Sequence, residues 1–131
     1  MKKIILDTNF LLVPLQFKVD IFSEFDRICH FNYKVCVFEQ SVNELKNIVE
    51  KQKGKSKKAA QFASKLIKLK NIVILKAEGK PVDDVILKNA DKDVIVATQD
   101  KLLKKKLFEK GISVIILRQR KYLLLLERKA L

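Results

Sequence analysis

The sequence predicts an α/β fold, a three-layer α/β/α sandwich whose central, mostly parallel sheet has about five strands. Short apolar runs rich in β-branched residues alternate with stretches of helical period, and such alternation implies right-handed crossovers between parallel strands. The runs are apolar throughout instead of alternating with polar residues, as expected of strands covered on both faces. Of the 131 residues, 48% are hydrophobic, enough for one well-buried core and too many for a disordered chain.

Ile4-Ile5-Leu6 forms the first strand, ending at Asp7. A loop holding Pro14 follows. Asp20 then caps a helix in which Ile21, Phe22, Phe25, Ile28 and Cys29 share one face. Val35 to Phe38 is the second strand, and Ser41 opens a helix with Val42, Leu45, Ile48 and Val49 inward. Lys51 to Lys58 reads as a solvated basic loop or a frayed helix end. Helical period returns from Ala59 to Leu69, and Ile72 to Leu75 is the third strand. Val82, Val85, Ile86 and Ala90 mark the next helix, Val94 to Ala97 the fourth strand. Asp100 begins a helix that Gly111 stops, and Ile112 to Leu117 is the fifth strand. Residues 118–131 form a basic, leucine-rich tail, helix or edge strand, to a single domain of residues 1–131.

Lys and Arg number 28 against 15 Asp and Glu, a net charge of +13. Such an excess suits a polyanion, through counterion release. An acidic membrane surface or heat adaptation also fits. No apolar run approaches the roughly 18 residues of a membrane span, so the expectation is a soluble, cytoplasmic protein. The two cysteines, Cys29 and Cys36, lack zinc or redox spacing. One histidine, His30, is too few for a His-based metal site, and no glycine-rich phosphate loop occurs.

In an open parallel sheet the carboxyl ends of the strands share one rim, where ligands bind. Asp7 follows the first strand directly, Glu44 and Asp84 fall in the first turns of the helices after the second and third strands, and Asp100 follows the fourth. Each has an ordinary explanation: Ser41 and Glu44 match a capping box, and acids suit helix N-termini. Together, carboxylates crowded on one rim repel unless protonated or bridged by cations. Mg²⁺ or Mn²⁺ suits such an all-oxygen cup and can activate water against a phosphodiester. Asp91 and Asp93 precede the fourth strand and belong to the opposite edge.

The strand running into Asp7-Thr8-Asn9, the segment Val42-Asn43-Glu44-Leu45, the segment Val82-Asp83-Asp84-Val85-Ile86-Leu87 and the strand end Val96-Ala97-Thr98-Gln99-Asp100 together resemble a PIN domain. The resemblance spans essentially the whole chain. It implies a Mg²⁺- or Mn²⁺-dependent RNA endonuclease with Asp7, Glu44, Asp84 and Asp100 as acidic site residues. Asp7, Asp84 and Asp100 would be the metal ligands, with Asn9, Thr98 and Asp83 as polar neighbours. Asp84 is preferred to Asp83 because the apolar run after it matches the family's pattern. Asn9 to Pro14 and Leu117 to Lys121 look more like archaeal PIN proteins akin to ribosomal RNA-processing nucleases than like VapC-type toxins. Lys53, Lys55, Lys57, Arg118, Arg120 and Lys121 are the candidate RNA contacts. The implied partners are RNA, a pre-ribosomal RNA or an antitoxin, and a second copy of the chain in a homodimer. The alternatives are a VapC-type toxin ribonuclease and an inactive RNA-binding PIN scaffold, although no acid is missing.

Overall fold

The computed structural model of the chain describes residues 1–127. Its elements run β1 (Lys2–Leu6), α1 (Thr8–Leu11), α2 (Val13–Phe17), α3 (Ile21–Ile28), β2 (Tyr33–Phe38), α4 (Glu39–Lys51), α5 (Lys55–Leu69), β3 (Val73–Leu75), α6 (Val82–Asn89), β4 (Val94–Ala97), α7 (Lys101–Glu109), β5 (Ser113–Arg118) and β6 (Tyr122–Leu126). Among the described residues no helix is long and apolar enough to cross a membrane.

The strands form one six-stranded sheet in the order β3-β2-β1-β4-β5-β6. All neighbours are parallel except β5 and β6. Side chains alternate between two apolar layers. Ile4, Leu6, Val37, Ile95 and Ile115 face α1 to α5, while Ile5, Cys36, Phe38, Val96 and Val114 face α6 and α7. This two-sided burial is why the strands read as unbroken apolar runs. From β1 the chain winds one way to β2 and β3, then returns to lay β4 on the other side of β1. The carboxyl ends of β1 and β4 therefore flank the point where winding reverses, the crevice in which open α/β sheets bind ligands.

Several expectations change. Of the two alternatives for the C-terminal segment, the edge strand is the one that forms: β6 pairs antiparallel with β5 and brings the sheet to six strands; residues 128–131 of that segment lie outside the described residues. β6 is anchored from the helical layer: Arg27 Nη2 donates to the Leu123 carbonyl at 2.9 Å, and the Leu123 N–H donates to Glu24 Oε1 at 2.8 Å. The expected loop around Pro14 is instead α1 and α2. Proline sits at the start of α2, where its missing N–H leaves no helical bond unmade. The lysine-rich stretch from Lys51 to Lys58 is mostly helical, with only residues 52–54 between α4 and α5. Helix α4 begins at Glu39, with Phe38 as its N-cap and no side-chain cap. The capping box of Ser41 and Glu44 therefore does not form. Asp20 and Asp100 cap α3 and α7 as expected, and Gly111 follows α7 with φ +81°, a left-handed conformation that glycine adopts without strain.

Candidate active site

Asp7 leaves the end of β1 with its N–H bonded to the Ala97 carbonyl of β4 at 3.0 Å. Asp7 as a whole is 3% exposed. Asp7 Oδ1 accepts the Thr8 N–H at 2.7 Å, and Oδ2 accepts the Thr98 hydroxyl at 2.9 Å. Thr98, itself buried, also accepts the Asp100 N–H at 3.0 Å, so one hydroxyl ties Asp7 to the residue that begins α7. Asp100 Oδ1 caps that helix through the N–H groups of Leu102 and Leu103.

The other acids arrive from helices. Because no capping box forms, Glu44 is not tied to the Ser41 amide; it lies in the second turn of α4, half-buried. The buried Ser41 hydroxyl instead accepts that of Thr8 at 2.8 Å, which locks α4 to the turn carrying Asp7. On α6, Asp83 is half-buried and Asp84 exposed. The difference in burial has a geometric reason. At about 100° per residue, Val82, Val85 and Ile86 centre the buried stripe so that Asp83 stands on its flank and Asp84 nearly opposite. That phase is readable from the sequence.

The carboxylates feel one another. Burial, opposed by the Thr98 hydrogen bond and reinforced by the charges of Asp83 and Asp100, pushes Asp7 up to about 6. Burial also raises Asp83, with the charges of Asp100, Glu44 and Asp84 adding to it and Lys106 of α7 opposing it. Asp7, Glu44, Asp83 and Asp100 thus share one electrostatic site. Lys106, a cation that the sequence did not single out, belongs beside it, as do the positioning hydroxyls of Thr8 and Ser41.

The basic candidates divide. Arg118, Arg120 and Lys121 are exposed at the β5–β6 turn, on the same carboxyl rim. Gln99 fixes this turn by accepting the Leu117 N–H at 2.8 Å. Gln119 and Arg120 are both left-handed, with φ 54° and 58°, a strained conformation for non-glycine residues. Lys53 and Lys55 are exposed at the junction of α4 and α5, and Lys57 is half-buried there. Asn9 is exposed in α1. Asp91, at the opposite edge, accepts the Asp93 N–H at 2.8 Å, an ordinary turn.

As the side chains stand, no group of three acids, cysteines or histidines among the described residues could hold an ion unaided. The donors are nevertheless all hard oxygens, and a carboxylate buried against like charges is a group that a cation would relieve. That combination fits Mg²⁺ or Mn²⁺, which keep several waters and take only one or two direct carboxylates.

An acid-rimmed crevice at the winding reversal of a parallel sheet defines the class, and residues 4–120 match the PIN-like domain family: the chain belongs to it. Over 126 residues it is 36% identical to ribonuclease VapC4 of Methanocaldococcus jannaschii, covering 93% of this chain and 95% of the relative. Over 119 residues it is 32% identical to ribonuclease VapC9 of Archaeoglobus fulgidus, covering 89% and 84%. The fold is that of the PIN domain endonuclease Utp24, with TM-score 0.79, 24% identity and coverage of 98% of this chain and 92% of that one. A domain of a functionally unknown protein from Methanocaldococcus jannaschii is a more distant likeness, with TM-score 0.60 and 16% identity over 99% and 96% of the two chains.

Proposed function

We propose that the protein is an RNA endonuclease that hydrolyses phosphodiesters with Mg²⁺ or Mn²⁺ held at the carboxyl rim. The observation that carries this reading is Asp7, a carboxylate held almost fully buried against two other acids, an arrangement a stable fold has no reason to keep on its own account. Asp7 and Asp100 would hold the ion, Asp83 replacing Asp84 as the third acid and Glu44 orienting water. When bound, the ion supplies positive charge to the phosphate and lowers the pKa of a water. Thr98 fixes the Asp7 carboxylate and the start of α7 together. Lys106 offsets the acids at Asp83, and Arg118, Arg120 and Lys121 offer cations to the phosphates of the strand approaching the rim. Lys53, Lys55 and Lys57 extend the basic surface.

The ribonuclease names of VapC4 and VapC9 support RNA as substrate and favour, as a second reading, a toxin-type ribonuclease controlled by an antitoxin. In a ribosomal RNA-processing role, by contrast, the partner would be a precursor RNA. Cleavage of single-stranded and structured RNAs with Mn²⁺, compared between wild type and Asp7→Asn, tests the nuclease. Equal activity in both would overturn it. Growth arrest on expression, relieved by a co-expressed antitoxin, separates the toxin from the processing role.

A further inference from the structure

A cleft of about 470 Å³ opens between α4 and the loop joining β3 to α6. Its walls are the two segments that deliver Glu44 and Asp83: Glu39, Gln40 and Asn43 on one side, Lys76, Glu78 and Lys80 on the other. Asn43 immediately precedes Glu44. Both walls follow the carboxyl ends of parallel strands, β2 and β3, so cleft and acids lie along the same rim, the path of a strand that places a phosphate at the acids.

The walls are set in advance. Gln40 Nε2 donates to the carbonyls of Ala77 at 2.7 Å and Gly79 at 3.0 Å, which pins the loop to α4. These two bonds fix the amide's orientation and leave Gln40 Oε1 buried with no partner in the protein. Gly79, at φ +116°, adopts a backbone that a side chain would strain. A loop held in this way keeps its shape before any ligand arrives.

The chemistry differs from the rest of the surface. In a chain of net charge +13, the charged groups here are two glutamates and two lysines, which cancel. A surface that only neutralises phosphates needs cations alone, as at Lys53 and Lys55. Donors and acceptors mixed in one pocket suit a base edge and a ribose hydroxyl, the groups by which single-stranded RNA is read.

We propose that this cleft receives the nucleotide adjacent to the scissile phosphate and makes cleavage depend on its identity, through Asn43 and Glu78 toward base or ribose and Lys80 toward its outer phosphate. This rests on the ribonuclease reading. The test is cleavage of an RNA oligonucleotide pool with Mn²⁺ by wild type, Asn43→Ala, Glu78→Ala and Lys53→Ala, with sequencing of the cut sites. Binding of the same pool to Asp7→Asn protein, with and without the cleft substitutions, is scored in parallel. The expected result is a wild-type preference at one position flanking the cut that falls about fivefold or more in the Asn43 and Glu78 variants. Lys53→Ala should slow all sequences alike. An unchanged preference in cleavage and binding, or a uniform loss in the cleft variants, overturns the inference while wild-type cleavage and its loss in Asp7→Asn leave the nuclease intact. If wild type cuts nothing, the nuclease reading fails, and the binding preference alone decides the cleft.

Discussion

Asp7 and Asp20 occupy equivalent local positions, each preceding a helix and accepting backbone N–H groups from its start. At Asp20 the surroundings favour the charge. The Ser23 hydroxyl and the N–H groups of Ser23 and Phe22 hold its carboxyl below the ordinary range. At Asp7 the same kind of contact is outweighed by burial and by Asp83 and Asp100, and the carboxyl rises to about 6. A cap that helps a helix is an acid its site stabilises. An acid its site destabilises is kept for something else, and the difference separates the candidate active site from ordinary capping.

The strongest way to break this contrast is Asp7→Asn. RNA cleavage with Mn²⁺ should fall by more than the roughly 100-fold that losing an outer partner of a metal ligand can cause, while the fold gains stability. The native state binds the Asp7 proton more tightly than the unfolded chain does. Its contribution is therefore most favourable below the ordinary value of 3.8 and declines as pH rises to about 6, a loss of about 3 kcal/mol at neutral pH. Chelator-treated wild type should thus lose stability in urea titrations between pH 4 and 6 relative to Asp7→Asn. Mn²⁺ should raise the melting temperature of wild type at pH 7 more than at pH 5, and that of Asp7→Asn at neither. A parallel pH dependence in the two proteins would remove the premise.

Thr98→Val comes next. It deletes the hydroxyl that donates to Asp7 and leaves the Asp100 N–H without its acceptor. Cleavage and Mn²⁺ affinity should each drop about 10–100-fold. Because that hydroxyl lowers the Asp7 pKa, its loss should extend the pH-dependent decline in stability above 6. Thr98→Ser should restore both. A loss of stability with unchanged Mn²⁺ affinity would make Thr98 a packing residue only.

How far these features could be read beforehand depended on whether local sequence or distant contact decides each one. The buried strands, the Asp20 and Asp100 caps and Gly111 follow from local preference, and Asp7, Glu44 and Asp100 reach one rim because a parallel sheet allows nothing else. Ser41 is a favourable N-cap by type, yet α4 starts at Glu39 and the Ser41 hydroxyl is bonded to Thr8, thirty-three positions away in sequence. Tyr122 to Leu126 is apolar without a period, so only pairing with β5 makes it a strand. Helical phase distinguishes Asp83 from Asp84, and the distinction is measurable: Asp83→Asn should reduce cleavage about tenfold or more, as for a partner of a bound ion, and Asp84→Asn less than half as much. The reverse order would return the third acid to Asp84.

The smallest effect sharpens the comparison from the other side. Asp20→Ala removes the acceptor for the Phe22 and Ser23 N–H groups and for the Ser23 hydroxyl, and should cost about 1 kcal/mol, as loss of a helix cap does. Its pH dependence runs opposite to that of Asp7. A carboxyl whose pKa is lowered by folding stabilises the native state above its unfolded value, and that support is lost as pH falls through the folded value. The deficit of Asp20→Ala relative to wild type should therefore be full at pH 7 and shrink in acid, whereas the gain of Asp7→Asn is full at pH 7 and disappears in acid. Cleavage by Asp20→Ala should match wild type at equal folded concentration. If it does not, capping at α3 reaches the rim, and the two aspartates belong to one coupled system.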